Sequence, residues 1–275
     1  MSERKKQGWD IPFLGVGVAW EEDEEYIDFI TRDLDPSSTY LEVHLPTPTA
    51  KIPKNFPIVA HCSTLGLADL REPSPELLAD AFHQAQRLGA HWFGDHISVV
   101  GTTDGVRFGY LFPPVHDEGL EERVIQRVCD YRERYGMPIV IELGPRYSPW
   151  GERDALDDYR LLRNISVGAR TPIILDIPHT TSTANSFGMS FESILDELDG
   201  AHVMELHIGA SGILNQRSSM TFEDRWRQVE ICLERFPQVR GITVELGRNV
   251  KLDRYRESIL RVTEKLQQQK SKLGI

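Results

Sequence analysis

The chain has 275 residues, 40% of them hydrophobic and 27% charged, with a formal net charge of −11. That is ample apolar material for a packed core, while the acidity weighs against a phosphate backbone as main partner, because such binding rests on Lys and Arg. No apolar run approaches the ~20 residues needed to cross a bilayer, and MSERKKQGWD has no apolar stretch behind its basic start, so neither a membrane span nor a signal peptide is expected.

Strand-like apolar runs alternate with helix-like segments along the chain, the pattern of a parallel sheet. The runs are FLGVGV from Phe13, TYLEVHL from Thr39, PIVAHC from Pro57, HWFGDH from His91, PIVIEL from Pro138, PIILDI from Pro172, HVMELHI from His202 and GITVEL from Gly241. The second and third are joined by a Pro-rich stretch, LPTPTAKIPKNFP, in which no helix is expected. SPELLADAFHQAQRLG reads as a helix with Ser74 as N-cap, Pro75 at its first position and Gly89 as terminator. EGLEERVIQRVCDYRERYG ends at Gly136 in the same way, and SFESILDELDG, TFEDRWRQVEICLERFP and KLDRYRESILRVTEKLQQQ follow the same logic. Segments GPRYSPWGERD and HTTSTANSFGMS are expected to be long polar loops after the fifth and sixth strands. Eight parallel strands in a chain of this length predict one (β/α)8 barrel domain over 1–275, with 1–12 as an N-terminal extension and 266–275 as the end of a C-terminal helix. Cys62, Cys129 and Cys232 are scattered without CxxC spacing. That fits a reducing, cytoplasmic setting and argues against a thiolate zinc site.

From the third strand onward every run ends in an ionisable residue: His61, Asp95-His96, Glu142, Asp176, His207 and Glu245. In an α/β barrel these ends meet at one mouth, where active sites of this fold are built. A charge at the end of a buried strand must be paired or coordinated. The shared end of six consecutive strands predicts divalent cations held by nitrogen and oxygen donors, which suits Fe, Mn, Zn or Co. Asp95 reads as a support or cap rather than a ligand. Glu42 and His44 are candidate outer members. Asp176-Ile177-Pro178-His179 lets a carboxylate and an imidazole reach the same cluster from one segment. Arg146, Tyr147 and Trp150 are candidates for gripping a carboxylate or peptide chain, with a plain helix-entry loop equally open, and Arg248, just beyond Glu245, is a candidate for orienting a ligand or anion.

The order His61, His96, Glu142, Asp176-x-x-His179, His207, Glu245 resembles the ligand order of the endonuclease IV group in the xylose isomerase-like superfamily. The local wording is more similar to the multinuclear non-heme iron-dependent oxidative enzymes, the family of the methanobactin-biosynthesis oxidase and its peptide-modifying relatives. GDHIS from Gly94, YLEVHL from Tyr40, LFPP from Leu111, IVIELG from Ile139, ILDIPH from Ile174, MELHIG from Met204 and TVELGRN from Thr243 carry that resemblance, which runs from about Gly15 to Asn249. It implies that Glu142 bridges two metals, that Asp176, His207 and Glu245 complete one position, that His61 and His96 complete the other, and that His179 belongs to a third. Relatives carry a further Asp-x-His pair where this chain reads Ile213 to Ser218, and an extra His where it reads Asn185-Ser186-Phe187-Gly188. Two well-held metals are therefore expected, with a third weak or absent, and Asn185 is left as a substrate or supporting residue.

What the resemblance implies is an oxidase using two or three iron ions and O2 on a peptide or amino-acid-like substrate at a cysteine. Glu142, Asp176 and His207 would sit nearest the chemistry, and a partner protein would present the peptide. Zinc or manganese are the alternative metals. The rival activities are phosphodiester hydrolysis, against which the missing Asp-x-His pair and the negative charge both count, and sugar isomerisation or epimerisation, for which no acid/base Lys is evident.

Overall fold

A computed structural model describes residues 11–148, 154–209, 221–246 and 250–273. Eight parallel strands close into a barrel: β1 (Gly15–Ala19), β2 (Thr39–His44), β3 (Ile58–Cys62), β4 (Phe93–His96), β7 (Ile139–Glu142), β8 (Ile173–Asp176), β9 (Val203–Gly209) and β10 (Gly241–Glu245), which pairs back onto β1. These are the eight expected runs. β2 and β3 are joined without a helix, as the Pro-rich link requires.

Between β4 and β7 the chain makes an excursion through an antiparallel hairpin, β5 (Val99–Gly101) with β6 (Arg107–Phe112). It lies outside the barrel order, so β4 pairs directly with β7 in the register Phe93 with Ile139 and His96 with Glu142. The outer layer comprises α1 (Glu24–Asp33), α2 (Pro75–Leu88), α3 (Leu120–Tyr135), α4 (Ala155–Ala169), α5 (Ile177–Phe187), α6 (Phe191–Asp196), α7 (Phe222–Arg235) and α8 (Leu252–Leu273). Ser74 accepts the Leu77 N–H, and Gly89 and Gly136 adopt left-handed φ at the ends of α2 and α3.

α1, α4 and α5 go beyond the sequence reading, and α5 corrects it. HTTSTANSFGMS is not a loop. Asp176 caps the first turn of α5, Pro178 sits in that turn where no N–H is needed, and Gly188 ends the helix in left-handed conformation. Its run of Thr, Ser and Asn has low helix propensity, and those end signals together with packing on the barrel override it. α1 is hidden by acidity: Asp23 accepts the Tyr26 N–H, and Tyr26, Phe29 and Ile30 are the buried face. α4 opens on a reciprocal cap between Asp154 and Asp157.

Residues alternate along the strands between two cores, except in β9, where the register shifts and both Met204 and Glu205 face inward. The larger lies between sheet and helices. The smaller fills the barrel with Leu14, Tyr40, Val59, Trp92, Val140, Ile174 and Met204. Tyr40 takes its place because Gly17 and Gly241 carry no side chain: a Cβ at Gly17 would lie 2.4 Å from the Tyr40 ring and 2.3 Å from Thr243 Oγ1. This apolar plug is the floor on which the polar layer rests. Gly17→Ala is therefore expected to overpack the barrel and lower unfolding free energy by about 1–3 kcal/mol, read by chemical denaturation; an unchanged midpoint would show that the floor yields without cost.

Candidate metal centre

The inward side chains above the floor are polar, and all but the exposed His44 are buried. Glu205 and His207 on β9 face inward two residues apart, as do His61 beside Val59, Glu42 and His44 beyond Tyr40, and Glu142 beyond Val140. Gly94 makes room for them: a Cβ there would meet the His61 ring at 2.9 Å. Glu42, Glu205 and His207 have no exposure, Glu142 is 1% exposed and His61 2%.

Glu142 is the hub. Its Oε2 lies 3.1 Å from His61 Nε2 and 3.3 Å from His96 Nε2, and its Oε1 lies 3.3 Å from His179 Nδ1. The His61 and His96 rings stack with centroids 5.0 Å apart. On the far side His207 turns Nδ1 toward Glu245 at 3.2 Å and toward Glu142 at 4.0 Å. Asp176 serves two ends: Oδ1 accepts the backbone N–H of His179, and Oδ2 lies 3.5 Å from His179 Nδ1.

Three donor groups emerge: His61, His96 and Glu142; Glu142, Asp176 and His179; Asp176, His207 and Glu245. In each, one donor atom per residue lies within 4.8 Å of the others. Donors bound to one cation at about 2.0–2.2 Å stand about 3–4 Å apart, the spacing found around Glu142. Both Glu142 oxygens, Asp176 Oδ2, His179 Nδ1 and His207 Nδ1 are buried without a directed hydrogen bond. Such atoms need a partner, and a divalent ion on nitrogen and oxygen donors fits them.

Two further groups involve residues the sequence reading left at the margin or passed over: Glu42, His44 and His61, and Glu42, Glu205 and His207. Glu42 is not an outer member but lies at the centre of the barrel. Glu205 was missed, although its place two residues before His207 puts it on the same face. It is held by Tyr40 Oη at 3.0 Å, Trp92 Nε1 at 2.8 Å and Thr243 Oγ1 at 2.6 Å.

The other candidates lie elsewhere. Asp95 shares a pleat with Cys62 and Ile141, which pack toward the helices, and its Oδ1 accepts the His96 N–H. Arg146 is buried, placing its guanidinium 2.8 Å from Asp158, which also meets His116 at 2.5 Å. Asn185 is exposed near the end of α5, and Tyr147 is 55% exposed. Trp150, Arg248 and the segment from Ile213 to Ser218 lie outside the described residues.

Within the cluster itself, protons supply the charge balance. Burial opposes charge on His61, but Glu142 and Glu42 outweigh it and raise its pKa to about 10. Burial likewise opposes His179, whose pKa rises to about 9 through Asp176 and Glu142, and His207, raised by Glu42 and then Glu205 and Glu245. Burial, with Glu245 and Glu142 adding to it, pushes Asp176 up to about 8. All four therefore carry protons at neutral pH that an incoming cation must displace. Affinity for Zn(II) or Fe(II) is expected to rise with pH by about tenfold per unit for each proton displaced up to about pH 8, and less steeply from there to about pH 10. Calorimetry in buffers of different ionisation heat counts those protons, and uptake without proton release would contradict the assignment.

The profile of a family described as RiPP precursor modification enzyme MbnB/TglH/ChrH matches residues 35–263. No curated protein matches the chain by sequence. Among solved structures, D-psicose 3-epimerase of Clostridium cellulolyticum, determined with D-tagatose, aligns over 92% of this chain and 98% of its own at 12% identity and a TM-score of 0.59. The 3-keto-D-glucoside 4-epimerase YcjR of E. coli, in its apo form, aligns over 91% and 99% at 15% identity and 0.54. A Thermus thermophilus protein, TTHB071, soaked with ZnCl2, aligns over 91% and 98% at 13% identity and 0.52. At such identities the likeness is one of fold.

Proposed function

The chain belongs to that family of RiPP precursor modification enzymes, and from that premise we propose that it is an iron-dependent oxidase that uses O2 to modify a peptide at a cysteine. The observation that carries the reading is the convergence of His61, His96 and His179 on the buried Glu142 carboxylate. Residues in that arrangement suit a cluster of cations bridged by one carboxylate.

In this reading His61, His96 and Glu142 would hold one ion, and Asp176, His207 and Glu245 a second, with Glu142 shared. His179 belongs to a third, weaker position. Bound iron supplies what the side chains lack, namely an open position for a substrate thiolate and electron transfer to O2. The protein's part is placement and exclusion. Its donors include no thiolate that would compete with a substrate sulfur. Cys62 is on the helix-facing side of β3, and burial, with Asp95 adding to it, pushes its thiol up to about 12, so it stays protonated.

The substrate side is framed by the hairpin. Phe108 and Tyr110 on β6 and Tyr147 after β7 are exposed. Between the hairpin and the end of β3 lies a cleft of about 210 Å³ lined by Ser63, Thr64, Val100, Arg107 and Tyr110. Exposed aromatics around a cleft are a surface for an extended peptide, and a partner protein would present that peptide from solution. Nucleic acid is not expected as a substrate, and no described helix is long and apolar enough to cross a membrane.

The test is metal analysis of anaerobically purified protein beside Glu142→Ala. Wild type is expected to carry iron with a visible absorption band, and the variant to hold far less. Iron unchanged in Glu142→Ala would remove Glu142 as bridging ligand, and colourless wild type rich in zinc would remove the oxidase.

A further inference from the structure

Two carboxylates lie beneath the metal-facing donors, and their surroundings differ. Glu205 accepts from three neutral donors, Tyr40, Trp92 and Thr243, and is satisfied by them. Glu42 is equally buried, yet neither of its oxygens receives a directed hydrogen bond, and its close partners are all imidazole nitrogens. Its Oε1 lies 2.8 Å from His44 Nε2 and 3.4 Å from His61 Nδ1, and its Oε2 lies 2.9 Å from His207 Nε2. His61 and His207 belong to different donor groups. Each turns one ring nitrogen toward Glu142 or Glu245 and the other toward Glu42. The two rings point opposite ways: His61 offers Nε2 upward and Nδ1 to Glu42, whereas His207 offers Nδ1 upward and Nε2 to Glu42.

We infer that Glu42 is a positioning residue that fixes both histidines at once, accepting the N–H of His61 Nδ1 and of His207 Nε2 so that each presents its other nitrogen to a cation. The inference rests on the metal-centre reading above and deepens it. A ligating histidine is held in one tautomer and orientation by the acceptor of its second N–H, and loss of such an acceptor weakens metal binding about 10- to 100-fold. Here one carboxylate serves two positions, so its loss weakens both together. Glu42 pairs in register with Ala19 and Val59 and has no exposure, so its carboxylate is enclosed between the two rings.

The experiment uses protein labelled with 15N-histidine and loaded with Zn(II), which is diamagnetic. Long-range 1H–15N spectra of wild type are expected to show His61 protonated on Nδ1 and His207 on Nε2, opposite tautomers in one site. Zinc titration of Glu42→Gln against a chromophoric chelator is expected to show both tight affinities lowered about 10- to 100-fold, with faster exchange of the two ring N–H protons. Identical tautomers for the two rings, or wild-type zinc binding in Glu42→Gln, would overturn the inference. So would outright loss of one ion with the others unaltered, since Glu42 would then be a ligand itself. If Glu42→Gln does not fold, the wild-type tautomers decide alone. If wild type takes up no zinc or iron at all, the metal-centre reading fails first and this inference falls with it.

Discussion

Charge burial governs this barrel. Glu42, Glu142, Asp176 and Glu205 are each at most 2% exposed inside it, and a lone carboxylate there would cost far more than a fold can tolerate. The molecule meets that demand by depth. At the bottom an apolar plug of aromatic and aliphatic side chains needs nothing. Above it, Glu205 is satisfied by hydroxyl and indole donors. Higher still, Glu42 is faced by imidazoles. At the mouth, Glu142, Asp176 and Glu245 have imidazoles too few and too loosely aimed to satisfy every oxygen, and the proposed cation would be the remaining partner.

The surrounding architecture keeps those depths in register. Period-2 alternation on parallel strands sends every second side chain inward, so His96 comes level with Glu142, and His61 stands beside Gly94 two residues lower, where no side chain blocks its ring. The hairpin between β4 and β7 could have disturbed that level. It is tied down from outside instead. Arg127 on α3 donates to the Leu67 and Asp69 carbonyls, and Asp69 accepts the N–H groups of Val100 and Gly101. The excursion is thus anchored to the helix layer, and the barrel passes beneath it unbroken.

Much of this was legible in the sequence. All eight strands, the helix-free link after β2 and the ionisable strand ends follow from apolar periodicity. The three donor groups around Glu142, Asp176 and His207 form from the residues singled out there, while their roles as ligands belong to the proposed function. What escaped has physical causes. The hairpin is short, with exposed residues on both faces, so no periodic signal marks it. α5 is written in Thr, Ser and Asn, and its caps had to outweigh its propensity. Glu205 escapes because it sits mid-strand, where an acid reads as an interruption until its three donors arrive from Tyr40 and Thr243 on other strands and from Trp92 just before β4. Glu42 was placed at the periphery because strand ends drew attention, whereas its importance lies in depth.

Asp176 joins the backbone to the chemistry. One oxygen stops the first turn of α5 from fraying, and the other faces the donors of the mouth. The positive end of the helix favours the ionised form of that side chain, against the burial that pushes its pKa up to about 8. Folding of that helix and the affinity of the pocket are consequently drawn from a single side chain. Any change that slides α5 along its axis must also withdraw an oxygen from the pocket. The spacing of strand, cap and His179 is therefore the part of this barrel least free to drift.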